Sequence, residues 1–242
     1  VTGGNEVVVF PDAKDLAATV ATRLLSAVAA AQAAKGSASL VLTGGRTGIA
    51  VLEAVRTAAS AVDWSTVDIY WGDERFLPAG NPERNETQAR AALLDHVPVD
   101  QTRVHPMAPS DGRFGDDPDA AAAAYAELLG GSPEFDVLLV GVGEEGHTLS
   151  VFPDSPAVHS TDVVVAVRDC PKPPPTRVSL TLSTARSASQ VWLMTTGAAK
   201  AEAVGKALAG VSEVEIPAAG ARGRDATVWF LDEEAAAEVK RD

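Results

Sequence analysis

The sequence predicts an α/β fold: a Rossmann-like, mainly parallel sheet with helices on both faces, a three-layer sandwich. Short aliphatic runs such as Ser39–Thr43 and Phe135–Val140 alternate with longer Ala/Leu-rich runs. Strands separated by helices need crossover connections, and these bring strands together in parallel. The runs SLVLT and FDVLLV carry almost no polar alternation, as befits strands covered on both faces. Glycines follow two of these strands directly, at Gly44-Gly45 and at Gly141 and Gly143. That suits an open sheet, whose ligands sit outside the carboxyl ends of its strands.

In chain order, Val7–Phe10 reads as a strand. Asp12 is an N-cap for a helix toward Lys35, and Gly36 is its left-handed stop. After the strand Ser39–Thr43, Gly44-Gly45-Arg46-Thr47-Gly48 reads as a turn and Ile49–Ala59 as helix. Val67–Trp71 is the next strand, Phe76–Glu83 a loop, and Asn85–His96 a helix. A second loop, Pro106–Pro118, leads to an Ala-rich helix ending near Leu129. Strands are expected at Phe135–Val140, Val163–Val167, Arg177–Leu182, Val191–Thr195 and Thr227–Leu231. Helices are expected at Ala198–Leu208 and, to close the chain, at Glu233–Val239. The stiff segment Cys170-Pro-Lys-Pro-Pro-Pro175 reads as a connector. No linker divides the 242 residues, so one domain spanning 1–242 is expected.

The formal net charge is −13, which argues against nucleic acid or an anionic membrane surface as the main partner. A local cluster of cations can still oppose that field for a small anion. A single cysteine, Cys170, excludes an intramolecular disulfide and any cysteine-based metal site. It suits a reducing, cytoplasmic setting. No basic leader precedes an apolar stretch at the start, and Leu16–Ala34 is interrupted by Arg23 and Gln32. A monomer or small homo-oligomer is expected.

Four constellations carry chemistry. Thr43-Gly44-Gly45-Arg46-Thr47-Gly48 lies between a strand and a helix, where glycine backbone N–H groups and a helix N-terminus favour an anion. An ordinary strand-to-helix turn has the same composition. Trp71-Gly72-Asp73-Glu74-Arg75 places three charges at a strand end. Gly141-Val-Gly143-Glu-Glu145-Gly146-His147 matches G-x-G-x-x-G, with Asp169 spaced for a ribose contact. A dinucleotide-binding module on Gly141, Gly143 and Gly146 therefore competes with a reading of His147 as a reactive side chain at a strand end. Pro153 and Pro156 leave room for only a short helix there. The fourth constellation is cationic: Arg177 and Lys200, with Arg75, make an anion pocket beside Gly44-Gly45. His96, His105 and His159 have no metal-type spacing, and no G-x-S-x-G elbow occurs. No metal and no cofactor is expected.

These segments, in this order, resemble the glucosamine-6-phosphate isomerase/6-phosphogluconolactonase family. The likeness runs from Val7 to about Leu231. Besides the segments above it rests on Arg84-Asn85, Phe152-Pro153, Arg177-Val-Ser-Leu-Thr181 and Gly197-Ala-Ala-Lys200. Isomerases of the family carry Tyr after the Asp-Glu pair and a Glu five residues after the His. This chain has Arg75 and Phe152 there, which points to the lactone-hydrolysing branch. It departs from the common pattern in having Glu145 for Asp, and Arg46 for Ser after the glycine pair.

The resemblance implies metal-free hydrolysis of 6-phospho-D-glucono-1,5-lactone to 6-phospho-D-gluconate in the oxidative branch of the pentose phosphate pathway. In that reading His147 activates water, Glu145 orients it, and Arg75 steadies the oxyanion. Asp73 and Asn85 shape the pocket or bind hydroxyls. Thr43, Gly44, Gly45, Arg46, Thr47, Arg177 and Lys200 hold the phosphate. The amino-sugar isomerase/deaminase and a catalytically silent phosphosugar-binding module remain as alternatives.

Overall fold

A computed structural model describes residues 4–131 and 133–240. Seven strands form one sheet: β1 (Asn5–Phe10), β2 (Ala38–Leu42), β3 (Val67–Trp71), β5 (Val104–His105), β6 (Val137–Val140), β9 (Gln190–Thr195) and β10 (Ala226–Asp232). Their order is β1-β10-β9-β6-β2-β3-β5, and every pairing is parallel. Three more strands, β4 (Asp73–Arg75), β7 (Val164–Val167) and β8 (Arg177–Leu180), form a separate antiparallel sheet in the order β4-β8-β7. The helices are α1 (Ala13–Lys35), α2 (Gly45–Thr57), α3 (Asn85–Ala92), α4 (Pro118–Leu129), α5 (Leu182–Ala185) and α6 (Ala201–Leu208).

The unbroken apolar strands divide their side chains between two cores, as period-two geometry requires. Leu40 and Leu42 of β2, Val137 and Leu139 of β6, and Trp192 and Met194 of β9 join one core with residues of α1, α2 and α3. Val41, Leu138 and Val140, and Val191 and Leu193 join the other, with residues of α4, α6 and the small sheet. Helix α1 shows the same logic at helical spacing. Asp12 accepts the Asp15 N–H at its start (2.8 Å), and Gly36 ends it at φ 80°. Leu16, Val20, Leu24 and Val28 lie buried along one stripe. The helix is long and apolar enough to cross a membrane by length and composition, yet that stripe packs on the sheet.

The expected α/β architecture is present, with local differences; among them, β5 and the short α5 are not among the expected elements. The strands expected at 163–167 and 177–182 leave the parallel sheet, and they pair antiparallel with each other and with β4. Gly72 is the joint between the two sheets. Its N–H donates to Leu42 O (3.0 Å) and its carbonyl accepts from Leu180 N (2.8 Å). A Cβ there would meet the end of the Leu149 side chain at 2.7 Å, so a larger residue would displace that leucine. The supposed turn at 44–48 is already helical from Gly45, because Gly44 supplies the extended cap residue. The closing segment 233–239 makes successive turns with i−3 bonds from Ala237 and Val239 rather than a helix. Finally, the helix expected at 85–96 stops at Ala92 and resumes as one 3₁₀ turn, Leu94–His96.

Candidate active site

After β2 the chain moves to one side of the sheet, through β3 to β5. After β6, the neighbour of β2, it moves to the other, through β9 to β10. The crevice between their carboxyl ends is a topological switch point. A cavity of about 170 Å³ opens there. Thr43, Gly44 and Gly45 line it from the end of β2, and Gly141, Val142, Gly143, His147 and Leu149 from the loop after β6. Asp73 and Arg75 come from β4, Asn85 from the start of α3, Arg177 from β8, and Lys200 from the turn after β9.

His147 is presented by a loop that closes on itself. The Gly143 N–H donates to His147 O (2.8 Å), the Gly146 N–H donates to Gly143 O (3.0 Å), and the Thr148 hydroxyl donates to Gly141 O (2.8 Å). The imidazole occupies the place where Gly143 would carry a Cβ, and Gly146 turns at φ 94°. The glycines of the G-x-G-x-x-G run thus make room for a histidine. No helix N-terminus follows the run: the next helical turn is the 3₁₀ segment Pro156–His159. Asp169 lies after β7 of the other sheet. Both facts run against the dinucleotide reading, which needs a helix to receive a pyrophosphate.

The Nδ1 atom of His147 is hydrogen-bonded to the Glu145 carboxylate, and the ring stacks on Phe152 with centroids 4.4 Å apart. Glu145 does not itself line the cavity. It reaches the cavity only through its bond to the imidazole. Burial works to raise its carboxyl, but the His147 contact and the nearby Lys172 ammonium outweigh burial and hold it down to about 2. A carboxylate on Nδ1 fixes the tautomer that leaves Nε2 free to accept a proton. Phe152, where an isomerase would carry a glutamate, packs the ring without charge.

The wall from the antiparallel sheet is tied together. Asp73 is buried, and its Oδ2 accepts the Ser150 hydroxyl (2.7 Å). Asn85 donates from Nδ2 to Asp73 O (2.9 Å), and its carboxamide fills the place of a Cβ on Gly44. Arg75 donates from Nη1 to Glu83 O (2.7 Å). Beneath them the buried Glu74 accepts three backbone N–H groups, from Arg75, Asn85 and Glu86, at 2.7–2.9 Å. It therefore caps α3 and sets Asn85 in the cleft. Burial pushes the Glu74 carboxyl up to about 7, against the pull of Arg84 and those N–H groups.

The two cations assigned to phosphate differ. Lys200 is half-buried, and no ion pair among the described residues uses its ammonium. Burial and the neighbouring Lys172 push it down, while Glu144 and Glu145 oppose them. Arg177 is buried, and it donates from Nε to Pro174 O (3.1 Å) and from Nη2 to Lys172 O (3.1 Å) and Pro173 O (3.3 Å). The phosphate assignment for Arg177 is thereby narrowed to its remaining donor, Nη1. Arg46 and Thr47 stand in the first turn of α2, which begins at Gly45. They line an adjoining cavity of about 360 Å³ that shares Gly44, Gly45, Gly141, Val142 and Lys200 with the first. The Thr47 hydroxyl is bonded to that of Thr196 (2.9 Å).

Sequence reasoning missed Leu149 and Lys172. Leu149 sits at φ 54°, which nothing in a leucine announces. Lys172 belongs to the proline segment read as a connector. Its carbonyl is held by Arg177, and its ammonium lies 3.3 Å from Glu145 Oε2. Among the described residues no group of three or more His, Cys, Asp or Glu side chains is placed to hold a metal ion.

An open α/β sheet with an imidazole, a free ammonium and glycine N–H groups at its switch point defines a site for a small phosphorylated or otherwise anionic metabolite. The family described as glucosamine-6-phosphate isomerases/6-phosphogluconolactonase matches residues 11–229, and the chain belongs to it. A 6-phosphogluconolactonase of Streptomyces coelicolor is 51% identical over 98% of this chain and 95% of its own length. One of Mycobacterium tuberculosis is 50% identical over 97% and 98%. The solved 6-phosphogluconolactonase of Trypanosoma brucei superposes with a TM-score of 0.84 at 27% identity, covering 99% of this chain and 100% of that one.

Proposed function

We propose that this chain hydrolyses 6-phospho-D-glucono-1,5-lactone to 6-phospho-D-gluconate, as a single cytoplasmic domain whose site is complete in one chain. The observation that carries this reading is the juxtaposition of the Glu145-tethered imidazole with the unpaired Lys200 ammonium in one cleft. The lactonase names of relatives at about half identity support it.

Neutral His147 accepts a proton at Nε2 from a water molecule, and the water oxygen bonds to the lactone carbonyl carbon. The carbonyl oxygen becomes an oxyanion beside the Arg75 guanidinium. As the tetrahedral centre collapses, the bond from that carbon to the ring oxygen breaks. The imidazolium returns its proton to the departing alkoxide, so histidine ends as it began. A positioned general base contributes typically ~10²–10⁴ in rate, and an oxyanion donor about another 10²–10³. Lys200, the N–H groups of Gly44 and Gly45, and the free nitrogen of Arg177 hold the phosphate, with Thr43 and the first-turn residues Arg46 and Thr47 at its margin. That distant grip aligns the carbonyl with the water. Asp73 and Asn85 accept or donate to ring hydroxyls.

The test is a pH-stat assay on freshly prepared phosphorylated lactone, corrected for spontaneous opening, alongside ammonia release from glucosamine 6-phosphate. Acid release with no ammonia is expected. Ammonia release without acid would replace this reading with the isomerase.

A further inference from the structure

The geometry points to Lys172 as a positioning residue: its ammonium clamps one oxygen of Glu145 so that the other stays on Nδ1 of His147. This rests on the reading of His147 as the base. A carboxylate two residues from its histidine, on a loop, has freedom to swing away toward solvent. Glu145 is held at both oxygens instead, by His147 at Oε1 and by Lys172 at Oε2 (3.3 Å). Lys172 itself is not adrift. Prolines flank it on both sides, and the Cys170 N–H donates to Pro175 O (3.0 Å), closing the segment into a loop. Arg177 reaches from β8 and binds the carbonyls of Lys172, Pro173 and Pro174. Proline carbonyls have no neighbouring proline N–H to serve as partner, so an external donor is the way to fix them. A buried arginine at the cleft wall thus sets the position of a lysine at its rim.

Exposed lysine–carboxylate pairs contribute little to stability, so the predicted signature is kinetic and electrostatic rather than thermal. The charged groups facing the Glu145–His147 pair are Lys172, Lys200 and Glu144, with Arg75, Asp73 and Arg177 across the cleft. Lys172 is the one that touches the pair through Glu145. Removing that cation favours the imidazolium, so the acid limb of kcat against pH moves to higher pH.

The experiment compares K172A, K172Q and K172R with the wild type and H147A. For K172A and K172Q, kcat falls roughly 10-fold or more with KM little changed. The fractional loss is the same on unphosphorylated glucono-1,5-lactone, and K172R recovers most of it. The His147 imidazole, followed by NMR, titrates at higher pH in K172A. A KM rise confined to the phosphorylated substrate would make Lys172 a phosphate ligand and overturn the proposal, as would unchanged kcat and an unchanged titration. Failure of the underlying reading looks different: H147A would then match the wild type, and the NMR titration would still report whether Lys172 acts on the pair.

Discussion

Lys200 and Arg177 face the same cleft with their donors in opposite states. Lys200 stands on the wall made by the parallel sheet, at the turn after β9, with no ion pair among the described residues and beside the Gly44-Gly45 backbone. Arg177 stands on the wall made by the antiparallel sheet, where its guanidinium binds three carbonyls and Asp73, Asn85 and Glu74 are bound to one another and to backbone. One wall presents its cation without an ion pair among the described residues, and the other commits most of its polar atoms to internal hydrogen bonds before a ligand arrives. Two cations at one cleft thus have different work, and residue type alone does not reveal it.

His147 joins the two walls, so His147→Ala is the most damaging change expected. It lowers kcat by about 10²–10⁴ and leaves KM near its original value, measured by initial rates on the phosphorylated lactone. Turnover close to normal would remove it as the base. Lys200→Ala comes next. Loss of a charge-assisted contact of about 1.5–3 kcal/mol raises KM for the phosphorylated lactone roughly 10–100-fold. Activity on the unphosphorylated lactone stays unchanged, and an equal loss on both substrates would erase the contrast between the walls. Arg177→Ala breaks the other side of the comparison. It frees the carbonyls of 172–174, lowers kcat along with affinity, and costs about 1 kcal/mol, or ~2–4 °C in Tm by calorimetry.

The smallest expected effect is acid stability. The Glu145 carboxyl is held at about 2, below its usual 4.5. A depressed carboxylate stabilises the fold above pH 4.5, and that stability is lost as pH falls from 4.5 toward 2. Glu145→Gln therefore flattens the decline of urea midpoints between pH 5 and pH 3. An equally steep decline would show that the pair does not contribute. Glu145 is partly exposed, which keeps the effect modest.

Much of the site was legible because its residues follow directly on strands whose apolar runs are unmistakable. Thr43, Gly44 and Gly45 end β2, Asp73 and Arg75 follow β3, and His147 follows β6. In a parallel sheet all those ends point to one side. That Arg46 and Thr47 line the adjoining cavity was not legible, because one residue decides where a helix begins. The antiparallel sheet was not separable from the parallel one, since β7 and β8 carry the same aliphatic composition as the other strands, and strand partners are a matter of long-range pairing.

The sequence by itself determined the layered α/β class, the place of His147 directly after a strand, and the net charge against which the cleft must work. Those follow from periodicity, spacing and counting, which are local. Only the tertiary structure decided that Arg177 turns its donors to the proline loop, that Lys172 arrives beside Glu145, and that Lys200 has no ion-pair partner among the described residues. Each depends on which groups come within about 3 Å, across the turn of the proline loop for Arg177 and between separate loops for Lys172 and Glu145, and a chain's order does not give those distances.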